Sequence, residues 1–228
     1  MKKIYFAAPL FNEMELKRNK EITKKLNKFN LSPYRPIRYG ALKKKNMIAI
    51  VTDRPNVGRE IARVLGADRK ENGYMTGNGY MVTWTYGNML SLAMPKDSGT
   101  ARVEWKDFPL LPPSFLTVRH VKTDTGWNPD INALLQLKII AKVLNACDTI
   151  IAATDASREG EMLFRHLYGF LGCKQPCLRL WISSLTDEAI TEGTANLLPC
   201  DLFDNLFLAA DSRNRADWLL GVNSSYAI

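Results

Sequence analysis

The stretch Asp148-Thr-Ile-Ile-Ala-Ala-Thr-Asp155-Ala-Ser-Arg158-Glu159-Gly-Glu161 sets a short, partly β-branched apolar run immediately before a cluster of acids. Residues 149–154 have the character of a buried parallel strand, and Met162, Leu163, Leu167 and Phe170 then recur at helical spacing. Asp155 therefore falls at the carboxyl end of a strand, where an open α/β sheet places its chemistry. At about 100° per residue, Glu159 lies only ~40° round a helix from Asp155 if the helix has begun by then, whereas Glu161 lies ~120° away. On that geometry Asp155 and Glu159 converge and Glu161 turns aside. Two carboxylates on a wet rim suit Mg2+, which keeps several waters and takes one or two protein carboxylates, and Arg158 between them can hold a phosphate. The same residues also make an ordinary helix start, because acids are favoured in a first turn and Glu161 can pair with Arg165 four residues on.

A second segment repeats the pattern. Met47-Ile-Ala-Ile-Val51 reads as a buried strand, followed by Thr52-Asp53-Arg54-Pro55 and a helix with Val57, Ile61, Val64 and Leu65 on one face. Pro55 suits the first helical position and Gly66 the stop. Asp53 and Arg54 thus sit over a helix N-terminus, where backbone N–H groups and the dipole attract a phosphate. Between the two acidic strand ends, residues 101–126 read as loop-rich, punctuated by Pro109, Pro112 and Pro113, with Trp105 and Phe108 either packed on the sheet or stacking on bases. Leu134, Leu137, Ala141 and Leu144 mark a crossover helix into the Asp155 strand. Thr186 is expected to cap a helix over residues 187–197, and a long final helix is expected from about 202 to 220. Two β–helix passages of this kind predict an α/β fold with an open, mainly parallel sheet flanked by helices.

These residues carry a resemblance. From about residue 48 to 228 the chain resembles the amino-terminal portion of a type IA DNA topoisomerase of the topoisomerase III group, beginning with its Toprim domain. The matching motifs run in family order: Asp53-Arg54-Pro55-Asn56 with Arg59-Glu60-Ile61-Ala62, then Thr83-Trp84-Thr85-Tyr86-Gly87, then Ala153-Thr154-Asp155-Ala156-Ser157-Arg158-Glu159-Gly160-Glu161. Leu180-Trp181-Ile182-Ser183-Ser184-Leu185-Thr186-Asp187-Glu188 and Arg213-Asn214-Arg215-Ala216-Asp217-Trp218-Leu219 complete the series.

The resemblance implies a four-stranded Toprim sheet, Mg2+ held by Asp155 and Glu159, and single-stranded DNA passing across the acidic cluster. It implies that Asp53 occupies the place of a glutamate that assists proton transfer at the cleaved phosphodiester, with Arg158 beside it in the catalytic set. Asp is one methylene shorter, and a displacement of ~1 Å can cost ~10²-fold in rate. Arg54 stands where a phosphate-contacting lysine is common, and keeps the charge while adding a fork. Ser157 takes the middle position of a metal motif that is acidic in its fullest form, and is still able to contact a metal-bound water. Asn88 replaces a histidine and can hydrogen-bond DNA without titrating near neutrality. Arg213 or Arg215 is expected to contact phosphate, or else to sit as an exposed cation near an i+4 ion pair with Asp217. The family's nucleophilic tyrosine lies in a separate domain well after the matched segment, so Tyr226 is read as a decoy and the chain as the acidic half of a composite site. The implied partner is a separately encoded or missing carboxy-terminal topoisomerase portion.

Residues 3–19 instead resemble the first strand and helix of a nucleoside 2-deoxyribosyltransferase, a likeness confined to about residues 1–32. The expected division is residues 1–46 as a basic β-α segment, 47–195 as the Toprim domain, and 196–228 as the start of the helical DNA-gate domain. Charge follows the same boundary: residues 1–48 carry 13 Lys/Arg against 3 Asp/Glu, leaving 18 against 20 in residues 49–228, so the whole-chain +8 belongs to the amino terminus. Lys43-Lys44-Lys45 is either a salt-sensitive DNA contact or a solvated linker. A stand-alone Toprim phosphotransfer enzyme, primase or nuclease, and a deoxyribosyltransferase remnant are the competing readings. No apolar run reaches membrane-spanning length, which fits a cytoplasmic protein with no membrane partner. Cys173-x-x-x-Cys177 is expected to be a reduced packing pair rather than a metal site.

Overall fold

Ala49, Ile50 and Val51 are apolar on both sides of the chain, so the strand they form can be covered on both faces, and Ile48–Thr52 becomes the central strand β1. The computed structural model describes residues 47–98, 104, 107–124 and 126–226. The expected amino-terminal unit 1–46, with Lys43, Lys44 and Lys45, lies outside the described residues, as do Trp105 and the side chain of Tyr226.

Pro55 opens α1 (Pro55–Val64) at its first position, and the chain leaves through Gly66 at φ +71°, as the sequence predicts. Three antiparallel strands follow, β2 (Arg69–Glu71), β3 (Tyr74–Gly77) and β4 (Tyr80–Trp84). The β3–β4 turn is Asn78-Gly79, both at positive φ, as a tight two-residue hairpin demands. The stretch expected to be loop-rich contains ordered pairs. β5 (Leu90–Leu92) pairs with β6 (Leu116–Val118), and β7 (His120–Thr123) with β8 (Gly126–Pro129). Strands of three or four residues beside prolines are too short for alternation to reveal. Phe108 is half-buried.

The crossover helix α2 (Ile131–Asn145) is capped by Asp130, whose carboxylate accepts from the Asn132 and Ala133 amides. Its buried face runs through Ala133, Leu137, Ile140, Val143 and Leu144, so the expected stripe is rotated and Leu134 and Ala141 are only half-buried. Next come β9 (Thr149–Ala152), α3 (Arg158–Phe170) and β10 (Cys177–Arg179). Thr186 caps α4 (Asp187–Ala195) as expected, with its hydroxyl accepting from the Ala189 amide. β11 (Leu198–Pro199), a 3-10 turn (Cys200–Phe203) and α5 (Asp204–Tyr226) complete the chain, α5 running beyond its expected end.

The sheet order is β11-β10-β9-β1-β4-β3-β2. Its four inner strands, β10, β9, β1 and β4, are mutually parallel, and the antiparallel strands extend it at both edges. The four-stranded sheet implied by the resemblance is therefore the parallel centre of a sheet with seven strands among the described residues. One face, with Val51, Ile150 and Ala152, packs α2 and α3 through Ile140, Leu144, Phe164 and Leu167. The other, with Ile50, Val82 and Ile151, packs α1 and α4 through Ile61, Ala62 and Ile190. From β1 the chain crosses to β4 on one side, and from β9 it crosses to β10 on the other. The winding thus reverses between β1 and β9, and at such a switch point the strands' carboxyl ends leave an open crevice.

The expected reduced pairing of Cys173 with Cys177 is corrected. Cys177 is disulfide-bonded to Cys200, with Cα atoms 5.6 Å apart. The pairing of Leu178 with Pro199 brings the preceding and following cysteines opposite each other. Cys147 and Cys173 are free, and burial pushes their thiols up to about 12 and about 11. Among the described residues no helix is long and apolar enough to cross a membrane.

Candidate metal and phosphate site

Asp53 and Asp155 follow β1 and β9, whose register pairs Val51 with Ala152, so the switch point itself brings the two acids to one rim. Asp53 is only 6% exposed. Its backbone is held from β4's end, where the Thr85 hydroxyl (3.1 Å) and the Gly87 amide (3.1 Å) donate to its carbonyl. Its Oδ2 accepts from Arg54 Nε at 2.7 Å, while its Oδ1 is buried with no hydrogen-bond partner among the described residues. A buried carboxylate oxygen left unpaired is costly and marks a place where a cation or proton donor belongs. Arg54 continues to Asp155, with Nη2 2.9 Å from Oδ2. One guanidinium thus bridges both strand ends, and the Asp53 hydrogen bond and the charges of Asp53 and Asp155 hold its pKa above the ordinary arginine value.

Asp155 presents its side chain to solvent but its backbone is fixed from beneath. The buried Arg179 of β10 donates from Nη2 to the Asp155 carbonyl (2.7 Å), from Nη1 to the Ala152 and Leu180 carbonyls (both 2.9 Å), and from Nε to Glu161 Oε2 (3.0 Å). Burial pulls the Arg179 pKa below its usual value, and the Glu161 carboxylate opposes that. Glu161 is itself fully buried, and its other oxygen accepts from Arg165 at 2.8 Å, the i+4 pair foreseen in the sequence. Glu161 does turn away from the rim, and what it turns toward is the core. Gly160 completes this seat: a Cβ there would stand 2.3 Å from the Asp155 carbonyl oxygen, so a side chain would push the helix off the strand end.

α3 begins at Arg158, with Ser157 as N-cap accepting from the Gly160 amide at 3.0 Å. Asp155 therefore precedes the helix, and the ~40° angle to Glu159, which assumes helix from Asp155 onward, does not describe it. Glu159 is exposed and takes Arg158 Nε at 2.8 Å. That hydrogen bond lowers its pKa first, and the charge of Arg213 on α5 adds to the effect. Ser157, read as a possible contact to metal-bound water, has its hydroxyl engaged as a cap. Asn88 is exposed beside Gly87, and its carbonyl accepts from Arg119 Nη1 at 3.3 Å.

The two arginines of α5 part company. Arg213 is exposed and 3.7 Å from Asp217, the ion pair weighed from the sequence. Arg215 turns instead to Asp211 (2.7 Å) and the Pro113 carbonyl (3.2 Å). Asp211 also meets His166 at 2.9 Å, and Arg165 reaches the Cys200 carbonyl and Asp204, so charged pairs join α5 to α3. Arg179, the residue on which the Asp155 seat rests, was not singled out from the sequence. Its partners lie 24 and 18 residues away, and its one visible signal is an arginine inside an otherwise apolar strand.

A family model described as the Toprim domain matches residues 48–185. DNA topoisomerase 3 of Bacillus thuringiensis (strain Al Hakam) is 38% identical over 181 residues, covering 78% of this chain and 24% of that protein. DNA topoisomerase 3 of Shouchella clausii is 38% identical over 191 residues, covering 82% and 24%. The chain spans about a quarter of the length of the curated relatives it matches. A solved structure of full-length topoisomerase I from Thermotoga maritima aligns with 68% of this chain and 21% of its own, at a TM-score of 0.41 and 19% identity.

Proposed function

The chain belongs to the Toprim-domain family, and on that premise we propose that it supplies the acidic, Mg2+-binding half of a type IA topoisomerase cleavage site and binds single-stranded DNA across it. The observation that carries this reading is the pair Asp53 and Asp155 at the switch point, with a buried Asp53 oxygen lacking a partner. Asp155 and Glu159 would hold the ion, which would supply positive charge to a phosphate in the crevice. Arg54, Arg158, Asn88 and Arg213 place the phosphodiester backbone by hydrogen bonds and charge, with Arg215, paired to Asp211, beside them on α5. When a tyrosine oxygen from a separate domain attacks phosphorus, its O–P bond forms as the leaving P–O bond breaks. Asp53 handles the proton that the leaving oxygen must gain, from a carboxylate one methylene shorter than glutamate. The division stated for the sequence, Toprim domain to residue 195 and gate helix after it, is part of the proposal. α5 then begins the gate.

Two measurements test this. Mg2+ or Mn2+ is expected to raise the thermal midpoint by mass action, and Asp155→Asn with Glu159→Gln to remove most of that rise. End-labelled single-stranded DNA on a denaturing gel is expected to show no covalent adduct with the 228-residue chain, and a weak one when a tyrosine-bearing domain is added. A strong adduct from the unassisted chain, abolished by Tyr226→Phe, would overturn the half-site reading. Metal-dependent cleavage without any adduct would turn it to a nuclease.

A further inference from the structure

We propose that Arg54 is the site's internal cation, holding Asp53 and Asp155 together until a divalent ion displaces it and then turning to the DNA phosphate; this rests on the metal site proposed above. The guanidinium already touches both carboxylates, at 2.7 Å and 2.9 Å, and so lies where their charges converge. It neutralises them incompletely. Among the described residues the two carboxylates share the Arg54 guanidinium, and Asp53 Oδ1 has no hydrogen-bond donor. A divalent ion held by Asp155 and Glu159 competes with the guanidinium for Asp155 Oδ2, adds positive charge beside Asp53 and frees the guanidinium at a crevice that phosphate enters.

The local structure permits the exchange once the ion supplies the charge that the guanidinium gives up. The Arg54 side chain is 64% exposed, so it has room to swing. Arg54 is the N-cap residue of α1 but makes no side-chain capping bond, so its departure does not open the helix. Its backbone stays put, because its carbonyl accepts from the Thr52 hydroxyl (3.0 Å) and the Gly58 amide (3.1 Å). The motion is a side-chain swing about a fixed root. Ion and phosphate binding then favour each other reciprocally, since each removes the competitor or supplies the partner the other needs.

The test is Mn2+ titration of the full chain, followed by the paramagnetic resonance of free Mn2+, with native protein, Arg54→Ala, Arg54→Gln and Arg54→Lys. The Arg54–Asp155 pair is exposed and therefore weak, so Ala and Gln are expected to tighten Mn2+ binding roughly three- to tenfold, with Lys between them and native. A short single-stranded oligonucleotide is expected to tighten Mn2+ binding in the native chain by more than in the Ala and Gln variants. Native protein that binds Mn2+ while the Ala and Gln variants bind it no tighter overturns the internal-cation role and leaves the metal site standing. Equal tightening with and without oligonucleotide reduces Arg54 to simple charge repulsion and overturns the coupling. Absence of Mn2+ binding in every form, with no effect of Asp155→Asn, overturns the site and this proposal together.

Discussion

Two glutamates two positions apart divide the work of their motif between surface and core. Glu159 stands on the rim with Arg158, and Glu161 lies fully buried between Arg165 and Arg179. Removing one partner of a buried ion pair strands the other charge, so Glu161→Gln is expected to lower stability by about 3–5 kcal/mol. Glu159→Gln is expected to leave the denaturation midpoint nearly unchanged while weakening the metal-induced shift. Urea denaturation with and without Mg2+ separates the two. The sequence discloses half of this. Spacing offers Arg165, and Glu161 turns from the rim although the helical angle that says so assumes a helix already begun at Asp155; nothing local announces Arg179, which reaches the motif only because β10 lies beside β9. The same angle fails for Glu159 because Ser157 caps the helix two residues after Asp155.

At the scale of elements, end signals were more legible than short strands. Pro55, Gly66 and Thr186 each do what their chemistry suggests, and the apolar runs before Asp53 and Asp155 became β1 and β9. β5 and β6 escape notice because their partners lie 24 to 28 residues apart, and β7 and β8 because strands of four residues are below the length at which periodicity speaks. The cap of α2 carries a pH dependence. Burial works to raise the Asp130 pKa, but hydrogen bonds from Arg119 and the Ala133 and Asn132 amides outweigh it, and the net shift is downward. A carboxylate with a depressed folded pKa stabilises the fold above its unfolded value of about 3.9 and loses that contribution as pH falls through the folded value. Asp211, which burial would raise but Arg215 and His166 lower, acts in the same direction. Urea midpoints measured at neutral pH and near pH 3 are expected to fall further for the native chain than for Asp130→Asn, which has no charge there to lose.

Across the whole molecule, the parallel sheet was readable from two strand–helix passages, while its order was not, because sequence does not say on which side of β1 the later strands add. Charge is distributed unevenly along the chain, with the positive excess in residues 1–48. Removing residues 1–45 is therefore expected to weaken single-stranded DNA binding and flatten its salt dependence, yet to preserve a preference over duplex, as read by fluorescence anisotropy at two salt concentrations. Equal affinity for both DNA forms after that truncation would sink the gate reading. The sheet's two outer strands have a different significance. Among the described residues β2 is Arg69-Lys70-Glu71, charged at every position, and β11 is two residues long and ends in Pro199, which has no N–H to offer. A second chain seeking to extend the ladder meets charge on one side and a missing donor on the other, so the fold carries its own protection against edge-to-edge aggregation.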